Sequence, residues 1–382
     1  MPSYRNLDLR NQIIDGLRSA RKQSRVELAK KLNISPATIG RTVQEMVNDG
    51  WLLEQVCTES TAGRPRVELT LNADMGYAVV VDIDVRSAVV GLVDFTGRII
   101  YRKVLQESME DLSQATEQLS AALSSVLGEI PEIKARVWGV GIAVPGTWNT
   151  AQRALVFTST LHQWQGIDLQ GIFRQVPSTT LVIDNDAKAA ALGEMILGAG
   201  RPFANFIYVR GDVGIGSAMV HEREIIRGQD NLAGGMGHMI VAPEAGKDCR
   251  CGRRGCLEAM AGLGVVEHQL ESGGARGPLF GRIAGYFAIA LANLGNLFCP
   301  EGIVMDGQLF KSYPELFALI VQATRRLLVP HIQHRIAFVT AEFEPDSALL
   351  GMAMHVFQNP AAASMHRSDL KTAAEGERGV LA

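Results

Sequence analysis

Long hydrophobic runs are missing from this chain of 382 residues, and so is a strong excess of charge of either sign. The longest apolar stretch, Ile283 to Phe298, contains two Asn and two Gly and falls short of the roughly 20 apolar residues that span a bilayer. The first residues are polar and show no apolar core of a signal peptide. We therefore predict a protein without membrane spans, in which Ile283 to Phe298 form a buried helix.

Cysteine is also scarce, with five residues, of which three lie between Cys249 and Cys256. This spacing is too tight for a disulfide framework and is typical of a metal site, so we expect a reducing, cytoplasmic location. The net charge of −3 excludes a chain that is basic throughout. Residues 1–72 carry 11 Lys and Arg against 8 Asp and Glu, whereas the remainder carries 26 against 32. A small basic module ahead of a larger acidic one is compatible with nucleic-acid binding at the amino-terminal end.

Three amphipathic helices and a hairpin are predicted in residues 1–72. Ser24, with Glu27 three residues later, forms a capping box at the start of the second helix, and Ser35 caps the third. Two short strands follow, and the polar loop between them contains Gly63-Arg64-Pro65-Arg66. Three helices and such a hairpin predict a winged helix-turn-helix domain.

The outward side of the third helix is predicted to contact DNA. Arg41 can reach a guanine edge or a phosphate, and the threonines suit phosphate or thymine-methyl contacts. The loop arginines form a short cationic wing tip that suits a minor groove. The predicted DNA-binding residues are Ser35, Ala37, Thr38, Arg41, Thr42, Arg64 and Arg66. The alternative is a helical protein-interaction module whose arginines are solvated.

One imidazole and three thiols predict a structural zinc site. The proposed ligands are His238, Cys249, Cys251 and Cys256. Four such ligands complete the tetrahedral coordination of Zn²⁺ and leave no open position for catalysis. The alternative is that these are reduced thiols that happen to be close in the chain.

The winged helix, the Gly-Arg-Pro loop and the pattern Gly-His followed by Cys-x-Cys-Gly-x-x-Gly-Cys-x-Glu together resemble the ROK family, named for repressors, open reading frames and sugar kinases. The resemblance implies an α/β body with the two-lobed, actin-like (ribonuclease H-like) ATPase fold and a ligand between the lobes. The expected division is a winged helix-turn-helix at 1–72, a first lobe at 73–185, a second lobe with the zinc site at 186–357 and a flexible tail at 358–382.

The pattern of strands and helices in the body agrees with two α/β lobes. The predicted strands are 77–84, 88–94, 98–104, 137–144, 181–184, 205–209 and 215–220, and the predicted helices are 111–127, 187–197 and 347–357.

The resemblance also implies a sugar site. Its residues would be Gly146, Asn185, Asp186, His238 and Glu258. In the family's kinases the Asn-Asp-Ala step supplies a sugar-binding Asn and the catalytic base, and a carboxylate can accept a hydroxyl hydrogen bond without chemistry. The alternatives are helix capping by Asp186 and hydrogen bonding of Glu258 to a zinc ligand. Gly235 stands where the family usually has a Glu that holds two sugar hydroxyls, so we expect an ordinary aldohexose to bind poorly or differently.

The family's nucleotide motifs are altered at three places. The first phosphate loop, Asp-x-Gly-Gly-Thr in the family, becomes Asp82-Ile83-Asp84-Val85-Arg86. The second begins with Asp212, and the Gly-Gly pair on the adenine side becomes Asp306-Gly307. Each acidic replacement opposes the ATP phosphates by repulsion and desolvation. Because phosphoryl transfer depends on positioned charge, we expect no catalysis of this reaction.

The sequence thus predicts a transcriptional regulator, most simply a repressor, that is not an enzyme. Its expected partners are operator DNA and a sugar or sugar derivative, its cofactor is Zn²⁺, and it would act as a homodimer or dimer of dimers. Two alternatives stay open: a ROK sugar kinase with an accessory DNA-binding domain, and a signalling adaptor whose main input is another protein.

Overall fold

The computed structural model describes residues 4–57, 66–129, 131–169 and 180–359. The amino-terminal module comprises α1 (Tyr4–Ala20), α2 (Arg25–Leu32), α3 (Pro36–Asn48) and the antiparallel strands β1 (Leu52–Cys57) and β2 (Arg66–Leu71). Ser24 and Glu27 form the predicted capping box, which fixes the start of α2. The side chain of Ser35 accepts the backbone N–H of Thr38 at the start of α3. The described elements of this module have the order expected of a winged helix-turn-helix.

The helices and strands of the module bury their apolar faces against one another. The fully buried side chains come from all three helices and both strands and include Ile13, Leu17, Leu28, Ile39, Val43, Met46, Leu52 and Leu69. Helices α1 and α3 contribute residues three or four positions apart, the spacing that puts one face of a helix against a core.

The first sheet of the body has the strand order β5-β4-β3-β6-β9. Its strands are β3 (Tyr77–Ile83), β4 (Ala88–Asp94), β5 (Ile99–Leu105), β6 (Val137–Val144) and β9 (Thr180–Asn185). The first three are antiparallel neighbours, and β6 and β9 run parallel to β3. Helix α4 (Leu112–Glu129) covers one face, and a small hairpin of β7 (Thr147–Asn149) and β8 (Ala154–Phe157) follows β6.

The second sheet repeats this topology with the order β12-β11-β10-β13-β14. Its strands are β10 (Phe206–Gly211), β11 (Ile215–His221), β12 (Glu224–Ile225), β13 (Gly302–Asp306) and β14 (Ala337–Thr340). Again three strands are antiparallel and two are parallel to the central one. The helices of this half are α6 (Leu257–Ala261), α7 (Leu263–Glu271), α8 (Arg276–Phe298), α9 (Gln308–Ser312) and α10 (Pro314–Leu327). The predicted helix at Ile283–Phe298 is confirmed as the second part of α8, and no helix among the described residues is long and apolar enough to cross a membrane.

Two helices pack against each other between the sheets: α5 (Asp186–Ile196) and α11 (Ser347–Gln358). A Cβ atom on Gly351 would lie 1.7 Å from the carbonyl oxygen of Ala189, so only glycine permits this approach. Helix α11 also lies against the first sheet, although its sequence position falls in the segment assigned to the second lobe. The chain therefore returns to the first half of the body at its carboxyl-terminal end.

An aromatic cluster joins the amino-terminal module to the body. Trp51 packs edge-on against Phe95 and Trp138, with ring centroids 5.4 Å and 5.7 Å away, and Phe357 of α11 contacts the latter two rings. The buried guanidinium of Arg18 lies 4.7 Å above the Phe95 ring and donates to the Phe95 carbonyl oxygen. Module and body therefore share one continuous core.

Candidate functional site

The exposed side of α3 carries most of the predicted DNA-binding residues that the structure describes. Ser35, Ala37 and Arg41 are exposed, and Thr38 is half-buried. The hydroxyl groups of Ser35 and Thr38 lie 2.8 Å apart. Among the described residues Arg41 has no hydrogen bond or ion pair, so its guanidinium is available to a ligand.

The prediction that Thr42 faces outward is wrong, because its side chain is only 1% exposed. Residue 42 lies three positions after Ile39 and four before Met46, and this spacing places it on the buried face of α3. Of the wing residues, Arg64 lies outside the described residues and Arg66 begins β2.

A cavity of about 200 Å³ lies between the two halves of the body. All five residues predicted to bind a ligand line it: Gly146, Asn185, Asp186, His238 and Glu258. We call it the first cavity. Asn185 and Asp186 lie together at the start of α5, and the other three come from separate segments, so the fold brings together groups separated by up to 112 positions (258 − 146). That they bind a ligand stays a prediction.

Asn185 caps α5, and Asp186 does not. The Asn185 side chain accepts the N–H of Lys188 at 3.1 Å and donates to the Gly146 carbonyl oxygen and to Asp186 Oδ1. The alternative of Asp186 as a cap is therefore wrong. Burial raises the pKa of Asp186 to about 7, against the lowering effect of Arg210. A carboxylate with this environment is well placed to accept hydrogen bonds from a ligand.

The side chain of Glu258 accepts hydrogen bonds from residues of the cleft, and none of its described partners is a proposed metal ligand. Its described partners are the N–H of Ile215, at 3.0 Å from Oε2, and the hydroxyl of Ser159, at 3.5 Å from Oε1. A Cβ atom added to Gly235 would meet nothing within 4 Å, which leaves open space where the family usually has a carboxylate.

Lys188 is a cavity residue that sequence reasoning missed. Its side chain is buried at the first cavity, and its ammonium group donates to Asn231 Oδ1 at 2.9 Å. Burial lowers the pKa of Lys188 to about 8. Its position two residues after Asp186 was the only available signal, because Asn231 is 43 residues away.

A second cavity of about 230 Å³ occupies the side of the cleft that corresponds to the altered nucleotide motifs. Its carboxylates are Asp82, Asp84, Asp212, Asp306 and Glu344. Burial raises the pKa values of Asp82 and Asp306 to about 6 in each case. Arg210, which also lines the first cavity, is the buried cation between the two and was not predicted from the sequence.

The four predicted metal ligands form one cluster. Their ligand atoms all lie within 4.8 Å of one another. Cys249 Sγ is 3.7 Å from His238 Nδ1, and Cys251 Sγ is 3.7 Å from Cys256 Sγ. Two sulfurs on a tetrahedral Zn²⁺ with bonds of about 2.3 Å are separated by about 3.8 Å, so the donor set fits such an ion. Gly252 and Gly255 adopt positive φ angles of 84° and 74° in the loop that carries the cysteines.

Comparisons with known proteins agree with this architecture. The chain is 25% identical to the xylose repressor of Bacillus spizizenii over 88% of this chain and 91% of the relative. It is 28% identical to a glucokinase of Halalkalibacterium halodurans over 62% of this chain and 81% of the relative. A solved ROK family transcriptional regulator, described as a homolog of the E. coli MLC protein, superposes with a TM-score of 0.73 at 20% identity and covers 96% of this chain and 98% of its own. The sequence model of the ROK family matches residues 78–359, and the chain belongs to this family.

Proposed function

We propose that this protein is a transcriptional repressor that binds DNA through its amino-terminal module and senses a carbohydrate-related molecule in the first cavity. The observation that carries the proposal is the combination of a DNA-binding type of module with a kinase-like cleft whose nucleotide side is lined by carboxylates and Arg210. Such a cleft can bind a sugar without processing it.

The extent of the sequence relatives supports a DNA-binding role. The match to the xylose repressor includes 353 residues, more than the body alone supplies, whereas the glucokinase match includes 268 residues. The proposed contacts are Ser35, Ala37, Thr38 and Arg41 in a major groove, with Arg64 and Arg66 in the flanking minor grooves. One such module reads too few base pairs for genomic specificity, so the repressor would act as a homodimer on a two-fold operator.

The metal cluster would hold one Zn²⁺ and serve the first cavity indirectly. A bound Zn²⁺ supplies structural cross-linking and no chemistry, because all four ligand positions belong to the protein. With Nδ1 of His238 directed to the cluster, Nε2 is the nitrogen left for a ligand hydroxyl. Asn185, Asp186 and Glu258 would provide the remaining polar contacts.

A sugar kinase with an accessory module is the second candidate, favoured by the Asn185-Asp186 pair and the glucokinase relative. Phosphoryl transfer requires a metal–nucleotide beside the sugar, and the carboxylates of the second cavity would repel its phosphates. We expect no sugar-dependent ATP hydrolysis above background in a coupled assay over a panel of hexoses, pentoses and amino sugars. Turnover with any of them would establish the kinase instead.

DNA selection from a random library, followed by anisotropy titrations of the recovered site, tests the repressor directly. Arg41→Ala should weaken binding by about 1–3 kcal/mol and relax base preference at one position per half-site. Arg335→Ala removes an exposed arginine from the body and serves as the matched control. Unselective DNA binding by the wild type, or equal affinities for both variants, would favour the protein-adaptor alternative.

A further inference from the structure

Arg210 lies at the end of β10, between the first and the second cavity, and lines both. Its side chain is 13% exposed. Nε is 2.6 Å from Asp212 Oδ2 and 4.0 Å from Asp186 Oδ2, and Nη1 is 3.5 Å from Asp82 Oδ2. Asp82 belongs to β3 of the first sheet, whereas Arg210 belongs to the second sheet, so the ion pair crosses the cleft.

The guanidinium of Arg210 stabilises the charged form of several buried carboxylates. Apart from burial itself, Arg210 is the largest influence on the pKa values of Asp82, Asp84, Asp186 and Asp306, and it lowers each of them. The other arginine of the second cavity, Arg86, is directed to Glu267 at 3.0 Å, and its side chain is 56% exposed. Lys188, which lines the first cavity, donates to Asn231 instead. Among the described residues that line the two cavities, Arg210 is therefore the cation that balances the charge of these carboxylates.

Carboxylates at the floor of a kinase cleft ordinarily hold a metal ion together with nucleotide phosphates. Here a side chain of the protein itself occupies the space between the carboxylates. We propose that Arg210 is a built-in counter-ion that replaces a metal–nucleotide: it joins the two halves of the body across the cleft and fixes the Asp186 carboxylate at the first cavity. The role of Asp186 rests on the proposed function, whereas the joining of the two halves does not.

Removal of this cation should convert the second cavity into a metal site. Asp82 Oδ1 is buried without a hydrogen-bond partner, and the cavity would present up to four further carboxylates. Clustered carboxylate oxygens are what hard cations bind. Arg210→Met, which keeps length and loses charge, should therefore acquire a binding site that the wild type lacks.

A titration with Tb³⁺, followed by its luminescence, tests this on the full-length, zinc-loaded protein. Tb³⁺ is a hard cation and does not compete for thiolates. We expect Arg210→Met to bind Tb³⁺ about tenfold or more tightly than the wild type. Arg210→Lys, which keeps the charge, and Arg86→Met, which removes a cation from the rim of the same cavity, should remain like the wild type. Equal Tb³⁺ affinity of Arg210→Met and the wild type would overturn the proposal.

A double-mutant cycle covers the case in which Arg210→Met folds poorly. Breaking one partner of a buried ion pair leaves an uncompensated charge, so the melting temperature should fall. Asp82→Asn in the Arg210→Met background should restore several degrees of this loss and weaken Tb³⁺ binding. Absence of any restoration would show that the pair does not join the two halves. These measurements need neither operator nor sugar, so they stay decisive if the repressor function fails.

The effect on Asp186 has its own readout. Arg210→Met should reduce the affinity for a sugar found by thermal-shift screening, and Arg210→Lys should restore most of it. If the Tb³⁺ result holds and sugar affinity is unchanged, Arg210 joins the two halves and does not position Asp186.

Discussion

The two cavities of the cleft differ in most of the hydrogen-bonding groups that line them, although they share Asp84, Arg210 and Asp212. The first cavity combines an amide, an imidazole, an ammonium group, a guanidinium and four carboxylates, a mixture that suits a ligand with many hydroxyl groups. The second is dominated by carboxylates, whose charge opposes phosphates. The proposed function thus divides the cleft into a half that recognises the ligand and a half whose carboxylates oppose a nucleotide.

Loss of the metal cluster should have the largest effect on the first cavity, because His238 belongs both to the cluster and to that cavity. Cys251→Ala should reduce the zinc content from about one ion per chain to near zero, lower the melting temperature and abolish sugar binding. Metal analysis of the purified protein and calorimetry measure all three. Cys299→Ala, at an exposed cysteine outside the cluster, should change none of them. Full zinc occupancy in Cys251→Ala would contradict the ligand assignment.

A smaller loss, of sugar affinity alone, should follow from replacing Asp186, a carboxylate of the first cavity. Asp186→Asn keeps the shape of the side chain and removes its charge, so a charge-assisted hydrogen bond worth about 1.5–3 kcal/mol is weakened or lost. Isothermal titration with the sugar identified by screening measures the change. Asp306→Asn, at a buried carboxylate of the second cavity, should leave sugar affinity unchanged. Equal losses of sugar affinity in Asp186→Asn and Asp306→Asn would mean that sugar binding is not confined to the first cavity.

A gain of binding is expected at Gly235. Its backbone φ is −77° and the space around its Cβ is open, so a longer side chain fits without strain. Gly235→Glu should raise the affinity for D-glucose by about tenfold or more, through charge-assisted hydrogen bonds to hydroxyl groups. Gly235→Gln is the control for length without charge and should gain less. No improvement in Gly235→Glu would show that the missing carboxylate does not limit hexose binding.

The smallest expected effect is on the pH dependence of stability. Burial raises the pKa values of Asp82, Asp186 and Asp306, to about 6, 7 and 6, so the folded protein binds their protons more tightly than the unfolded chain. These groups therefore contribute favourably to the free energy of unfolding at low pH, and this contribution is lost as the pH rises through 6–7. Asp186→Asn should be more stable than the wild type at pH 8, and its melting temperature should fall less between pH 5.5 and 8.

The exposed carboxylate of Asp230 provides the control for this measurement. Asp230→Asn should retain the slope of the wild type. A slope in Asp186→Asn equal to that of the wild type would contradict the assignment of its raised pKa.

Local chemistry explains which parts of the molecule could be predicted from the sequence. The capping box of Ser24 and Glu27 and the spacing of the metal ligands depend on residues close in the chain, and both are present. The ten strands and helices predicted in the body end within two residues of the observed ones. The fold class is confirmed, and the structure adds that each half of the body contains a five-stranded sheet.

The errors concern contacts between distant segments. Thr42 is the exception: its helical spacing from Ile39 and Met46 places it on the buried face of α3, and the polarity of its side chain was the misleading signal. Arg210 and Asp82 are separated by 128 residues (210 − 82), and no local pattern connects them. Helix α11 packs against α5 and against β3, β6 and β9 of the first sheet, contacts with segments far away in the sequence that its own residues do not reveal. The predicted tail lies outside the described residues from position 360 onward.

The aromatic cluster at the junction limits how this protein can be recombined with others. Trp51 and Arg18 of the amino-terminal module are buried against Phe95, Trp138 and Phe357 of the body. The two parts are therefore not independent domains joined by a linker. A chimera that grafts a foreign DNA-binding module onto this body at residue 72 would remove Trp51 and Arg18 from the three aromatic rings of the body. Exchanging the specificity of such regulators therefore requires transplanting the matching residues of the joint together with the module.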